Sequence, residues 1–170
     1  MHKHIFLTGM MGCGKSTMGR RLAGLLGAPC VDLDEEIERY EGRSIPEIFA
    51  ASGDAGFRLC ETGALRRICA GETCIVATGG GIVTREENIA LMRETGLVVW
   101  LCRPLDTIIA GVRQDTRPNL AGNKEERMRT LYAQRETLYR QAAHLVFDNS
   151  ACPPQAAKQL AALISGQALL

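Results

Sequence analysis

The chain has 170 residues, 46% of them apolar, with 20 Lys and Arg against 19 Asp and Glu for a net charge of +1. That length suits one domain with its own core, and the near-neutral balance argues against a broad nucleic-acid or anionic-membrane surface. No apolar run approaches the roughly 18 residues of a transmembrane helix. The seven cysteines form no C-x-x-C pair and fall mostly inside apolar runs, so they read as small core residues of a reducing compartment. The opening Met1-His2-Lys3-His4 has no signal-peptide layout, and a cytoplasmic protein is expected.

The first apolar run, Ile5–Thr8, reads as a buried strand. It leads into Gly9-Met10-Met11-Gly12-Cys13-Gly14-Lys15-Ser16-Thr17, which fits the phosphate-binding pattern G-x-x-x-x-G-K-[ST]. Glycines let backbone N–H groups turn inward around a polyphosphate, and the helix that follows, near 16–27, aims its positive end at the same anion. Lys15 supplies a mobile charge for the outer phosphates, and the Ser16 hydroxyl is a hard oxygen suited to Mg²⁺. A nucleotide site is therefore expected at Gly12, Cys13, Gly14, Lys15, Ser16 and Thr17. Cys13 lies within that loop.

A second run, Cys30–Leu33, precedes a helix near 34–41. Asp32 and Asp34 project together from its end if the chain stays extended. One could hold Mg²⁺ through water and the other could accept a proton from a hydroxyl nucleophile. Capping by Asp34 at the start of the helix is the alternative. Helices near 44–52 and 54–71 follow. On the second, Phe57, Leu65 and Ile68 mark the inner face, and Arg58 and Glu61 are spaced to pair. Arg66 and Arg67 fall on the outer face and are expected in solvent.

The third run, Thr73–Thr78, ends in Thr78-Gly79-Gly80-Gly81. Many nucleotide-binding chains carry a metal-holding aspartate here; with Thr78 in that place, Asp32 is the candidate. Three glycines at a strand's carboxyl end suit either a flexible turn or a surface that a ligand approaches closely.

Helices near 85–95 and 104–113 flank the run Leu97–Cys102. The segment 114–122 carries Pro and Gly and reads as a surface loop or as a lid over a substrate. Within it, Arg117 could reach a transferred phosphate, and Arg113, four residues earlier, could stack on adenine. On the helix near 123–143 an apolar stripe runs through Met128, Leu131, Tyr132, Leu138 and Tyr139, and Arg135 falls on it. An inward guanidinium needs a partner, either a substrate anion or a structural salt bridge. A last run, Leu145–Phe147, and a helix near 153–165 close the chain. The histidines receive no catalytic role.

Strands alternating with helices imply parallel strands joined by right-handed crossovers. The fold expected is α/β, a three-layer P-loop NTPase-type fold. It has about five parallel strands, helices on both faces and a mobile lid at about 113–122.

The ordered set of motifs resembles the shikimate kinase family. It comprises the P-loop, Asp32-Leu33-Asp34, Phe57-Arg58-Leu59-Cys60-Glu61, Thr78–Gly81, Arg117-Pro118 and Arg135-Glu136-Thr137-Leu138-Tyr139, and spans roughly 4 to 150. The resemblance implies ATP- and Mg²⁺-dependent phosphorylation of the 3-hydroxyl of shikimate, on the route to chorismate and the aromatic amino acids. It implies Lys15 and Arg117 on the phosphates, Ser16 on Mg²⁺, and Asp32 acting on the metal through water. Asp34 would hold shikimate hydroxyls and serve as base. Arg58 and Arg135 would grip the carboxylate, Gly79, Gly80 and Gly81 would give backbone contacts, and Arg113 would pack on adenine. The shikimate-binding region would span about 32–61 of a single kinase domain over 1–170, acting as a monomer with ATP and shikimate as partners, without nucleic acid or membrane. The chain departs from the family pattern at Leu33, where Ser or Thr is usual, and at Asn119, where Leu usually follows the lid proline.

The nearest rival is a related sugar-acid kinase such as a gluconate kinase. A nucleoside monophosphate kinase fits less well, because two arginines suit a compact acid. A nucleotide switch would carry N-K-x-D, which Asn123-Lys124-Glu125-Glu126 matches only in part.

Overall fold

The structure, a computed structural model, describes residues 4–112 and 123–166. Its elements are β1 (His4–Thr8), α1 (Lys15–Leu26), β2 (Cys30–Asp32), α2 (Leu33–Glu41), α3 (Ile45–Ala70), β3 (Ile75–Ala77), a 3-10 turn (Ile82–Thr84), α4 (Glu86–Thr95), β4 (Gly96–Cys102), α5 (Leu105–Gly111), α6 (Lys124–Ala142), β5 (Leu145–Asp148) and α7 (Pro153–Gly166). The strands form one parallel sheet in the order β2-β3-β1-β4-β5. The chain leaves β1 toward β2 and β3, then crosses back to β4 and β5. The carboxyl end of β1 is therefore the switch point, where a crevice opens in sheets of this kind.

Buried on both faces, the central strands read as continuous apolar runs. Their side chains alternate between two cores. Ile5, Leu7, Leu97, Val99 and Leu101 face Met18 and Leu22 of α1 and Leu160 and Ile164 of α7. Phe6, Val76, Val98 and Trp100 face α2 to α4, where Leu33, Ile37, Phe57, Leu65 and Met92 pack. Helix α6 contributes Met128 to the first core and Tyr139 to the second. The expected strand and helix order is thus observed. The 3-10 turn was not anticipated, since three residues carry no periodicity; Asn88 Nδ2 fastens it by donating to the Ile82 carbonyl at 3.0 Å.

The two helices expected near 44–52 and 54–71 are observed end to end within α3, parted at Gly53, whose φ of 66° breaks the helical run. The first half is fixed by a capping box: Glu47 N donates to Ser44 Oγ and Ser44 N donates to Glu47 Oε2 at 2.7 Å. Glu38 Oε1 accepts from Ile45 N at 2.8 Å, tying α2 to α3. These contacts stand the two helices as a wall beside the carboxyl ends of β2 and β3. The two described histidines make structural contacts: Nδ1 of His4 accepts from Cys74 N, and Nδ1 of His144 accepts from Val98 N at 3.0 Å. All seven cysteines are free thiols, and Cys152 departs from the core reading by being exposed. No described helix is long and apolar enough to cross a membrane.

Candidate active site

A cleft of about 430 Å³ opens at the carboxyl end of β1. One side is the loop between β1 and α1. Gly14, at φ 99°, N-caps α1 with no side-chain hydrogen bond to the helix, so the first-turn N–H groups are left for an anion. A side chain at Gly14 would also strike Asn149, whose Nδ2 would lie 2.8 Å from the added Cβ. Lys15 is nearly buried, and its Nζ donates to the carbonyls of Gly9 and Met10 at 2.8 and 2.9 Å. The loop thereby holds the ammonium directly over its own concavity.

The floor is formed by strand ends. Ser16 Oγ donates to Asp32 Oδ2 at 2.6 Å, while Asp34 N donates to Asp32 Oδ1 at 3.0 Å. The capping residue of α2 is therefore Asp32 and not Asp34, because the helix begins one residue earlier than its apolar pattern implies. Asp34 lies in the first turn of α2, so the two carboxylates converge through the turn at the cap and not by strand alternation.

The far wall carries the cations. Arg58 Nη1 donates to Glu61 Oε2 at 2.9 Å, with Arg58 7% and Glu61 0% exposed. Burial pushes the Glu61 carboxyl above its ordinary range, and the Arg58 charge and hydrogen bond pull it partly back. The glycine run lies against this pair. A Cβ at Gly79 would stand 2.6 Å from Glu61 Oε1, and one at Gly81 would collide with the Arg58 guanidinium. What the glycines approach is first of all the chain's own ion pair. Arg135 enters from α6, 6% exposed and beside Gly80. Ile45, Pro46 and the stacked rings of Phe49 and Phe57, with centroids 4.6 Å apart, supply an apolar side.

Gly12, Gly14, Lys15, Ser16, Thr17, Asp32, Asp34, Arg58, Gly79, Gly80, Gly81 and Arg135 thus line one cleft. The glycine-rich loop with Lys15 faces a wall carrying two buried arginines, with hydroxyl and carboxylate oxygens between them. A family model described as "Shikimate kinase" matches residues 11–165. The chain belongs to the shikimate kinase family. It is 43% identical over 148 residues to the shikimate kinase of Nitrosomonas europaea, covering 86% of this chain and 70% of the relative. It is 42% identical over 160 residues to that of Oleidesulfovibrio alaskensis, covering 91% and 92%. The shikimate kinase of Acinetobacter baumannii, solved in complex with shikimate, superposes with a TM-score of 0.94 at 37% identity, over 100% of this chain and 97% of that one. Membership makes the chain an ATP-dependent kinase that phosphorylates a hydroxyl of shikimate.

Within this shikimate kinase fold, Cys13 sits in the loop but not in the cleft. Its thiol is buried toward Lys15 Nζ, 3.9 Å away, and its carbonyl accepts from Asn149 Nδ2 at 2.8 Å. Arg113, Arg117 and the lid segment 113–122 lie outside the described residues. Asn149, just beyond β5, carries no motif in the sequence and emerges only from its contact with the loop. Sequence reasoning also missed a hollow of about 90 Å³ beside Gly14, Thr17, Arg103, Asn149 and Pro153. Arg67, expected in solvent, instead lies over the Tyr40 ring, 3.4 Å from its centroid.

Proposed function

We propose that the cleft seats shikimate against Asp34, Arg58, Gly79 to Gly81 and Arg135, facing ATP phosphates held by Gly12 to Thr17, and that the 3-hydroxyl receives the γ-phosphoryl group. The observation that carries this reading is the opposition of two buried arginines to the phosphate loop across one cleft. Such cations suit a compact carboxylate better than a second nucleotide.

Phosphoryl transfer passes through a loose transition state, so positioning and charge do most of the work. Lys15 shifts from its loop carbonyls onto the outer phosphates and follows the charge that develops there. Asp34 orients the acceptor hydroxyl and takes its proton. Ser16 and Asp32, hard oxygens already 2.6 Å apart, fit Mg²⁺ alongside phosphate and water ligands, and would hold it with Asp32 acting through water. When bound, that ion offsets charge on the phosphate oxygens.

Arg113 on adenine and Arg117 on the phosphates, with 113–122 as lid, rest on sequence motif alone. The small hollow beside Gly14 and Asn149 is the place we assign to the base. The reading keeps a monomeric single kinase domain over 1–170, with its shikimate-binding region at about 32–61, and seven free thiols suit the reducing cytoplasm.

Arg58→Ala and Arg135→Ala test the reading. Each should raise the KM for shikimate at least roughly tenfold, the scale of one charge-assisted hydrogen bond, and leave the KM for ATP unchanged. Equal loss for both ligands would assign these arginines to structure alone.

A further inference from the structure

We propose that Tyr139 is a positioning residue: its hydroxyl, bonded to the Gly80 carbonyl where Arg135 also approaches, fixes the Arg135 fork before the acid arrives. The proposal rests on the reading of Arg135 given above.

Tyr139 lies one helical turn beyond Arg135 on α6, so the two share a face. Its ring is fully buried and stacks on Trp100, with centroids 5.9 Å apart. A phenylalanine would fill the same space, so packing alone does not call for the hydroxyl. A buried phenol needs a partner, and this one donates to the Gly80 carbonyl, across 59 residues of chain. The hydroxyl and the guanidinium converge on one glycine: the phenol is bonded to the Gly80 carbonyl, and Arg135 Nη1 lies 3.7 Å from where a Gly80 Cβ would stand. Burial raises the phenol's proton affinity, so it remains a donor throughout the neutral range.

Gly80 is the meeting point. A Cβ built there would lie 3.2 Å from Met11 N in the phosphate loop and 3.7 Å from Arg135 Nη1. The hydroxyl therefore joins three parts that otherwise belong to separate segments: the acid-gripping helix, the glycine run and, through Gly80, the phosphate loop. Arg135 needs such a holder. It is 6% exposed, and no ion pair ties it to a carboxylate among the described residues; Glu61 feels its charge only at longer range. A guanidinium reserved for a ligand keeps its fork direction only if a neutral group orients it.

Tyr139→Phe tests this, with Arg135→Ala and the double variant beside it. The Phe variant keeps the Trp100 stack. It should raise the KM for shikimate roughly tenfold, with the KM for ATP and the melting temperature close to wild type. Shikimate titrations followed by emission of Trp100, the only tryptophan, should weaken by the same factor. In the double variant the Phe change should add nothing to Arg135→Ala, because the hydroxyl acts through that arginine. Full additivity, or wild-type shikimate binding in Tyr139→Phe while Arg135→Ala is impaired, overturns the role of Tyr139 alone. A silent Arg135→Ala overturns the acid-gripping reading and this proposal with it.

Discussion

Gly79→Ala isolates the packing of the glycine run against the buried ion pair. The added Cβ would lie 2.6 Å from Glu61 Oε1, where ordinary contact begins at 3.4 Å, so the carboxylate must retreat by about 0.8 Å. It has nowhere to go freely: Glu61 is 0% exposed and bonded to Arg58 Nη1 at 2.9 Å. Arg58 must follow, or the bond must lengthen. A misplacement near 1 Å in a positioned site costs about 10²-fold in rate, and overpacking costs about 1–3 kcal/mol of stability. For a chain of this size that lowers the melting temperature by roughly 2–4 °C per kcal/mol. ADP release with varied shikimate at saturating ATP should show kcat/KM for shikimate down by about 10²-fold, with the KM for ATP unchanged. Wild-type shikimate kinetics in this variant would refute the claim that the glycine run sets the position of Arg58.

Two further outcomes follow from the electrostatics. Asn caps helices as well as Asp does, so Asp32→Asn should retain the contact to Asp34 N and melt close to wild type. It should nevertheless lose turnover by a factor on the order of 10², the scale of removing one charge-stabilising group; parallel loss of stability and turnover would point to the cap instead. Glu61 binds its proton more tightly folded than unfolded, because burial raises its folded-state affinity above the ordinary value of 4.5. Its ionisation therefore costs stability as pH rises from about 4.5 through the raised value, and the cost is complete above that value. Melting curves of Glu61→Gln should lack this downward component, so the difference from wild type grows with pH across that window. Parallel curves at all pH values would contradict the direction given for Glu61.

The parts of the site legible in the sequence are those with fixed local spacing. The phosphate loop declares itself because backbone cradling needs glycines at set positions. The Arg58–Glu61 pair follows from i, i+3 geometry on a helix. Arg135 stands out because a charge interrupts an apolar stripe. Other features depend on tertiary closeness. That Asp32 rather than Asp34 caps α2, with Ser16 already on its second oxygen, follows from where β2 ends beside α1. The glycine run was expected to meet a ligand; its tightest contacts are Glu61 and Arg58, which only the packing of α3 against β3 brings there. Asn149 carries no motif, and Tyr139 reads as one more core aromatic until its hydroxyl is seen to reach Gly80.

The most direct measurement of the central claim is ADP release with Mg-ATP and shikimate, gluconate, AMP or no acceptor, with phosphorus NMR of the product. The account predicts turnover with shikimate alone and phosphate on its 3-hydroxyl. Release with only gluconate or AMP, or at the same rate with no acceptor, would contradict it.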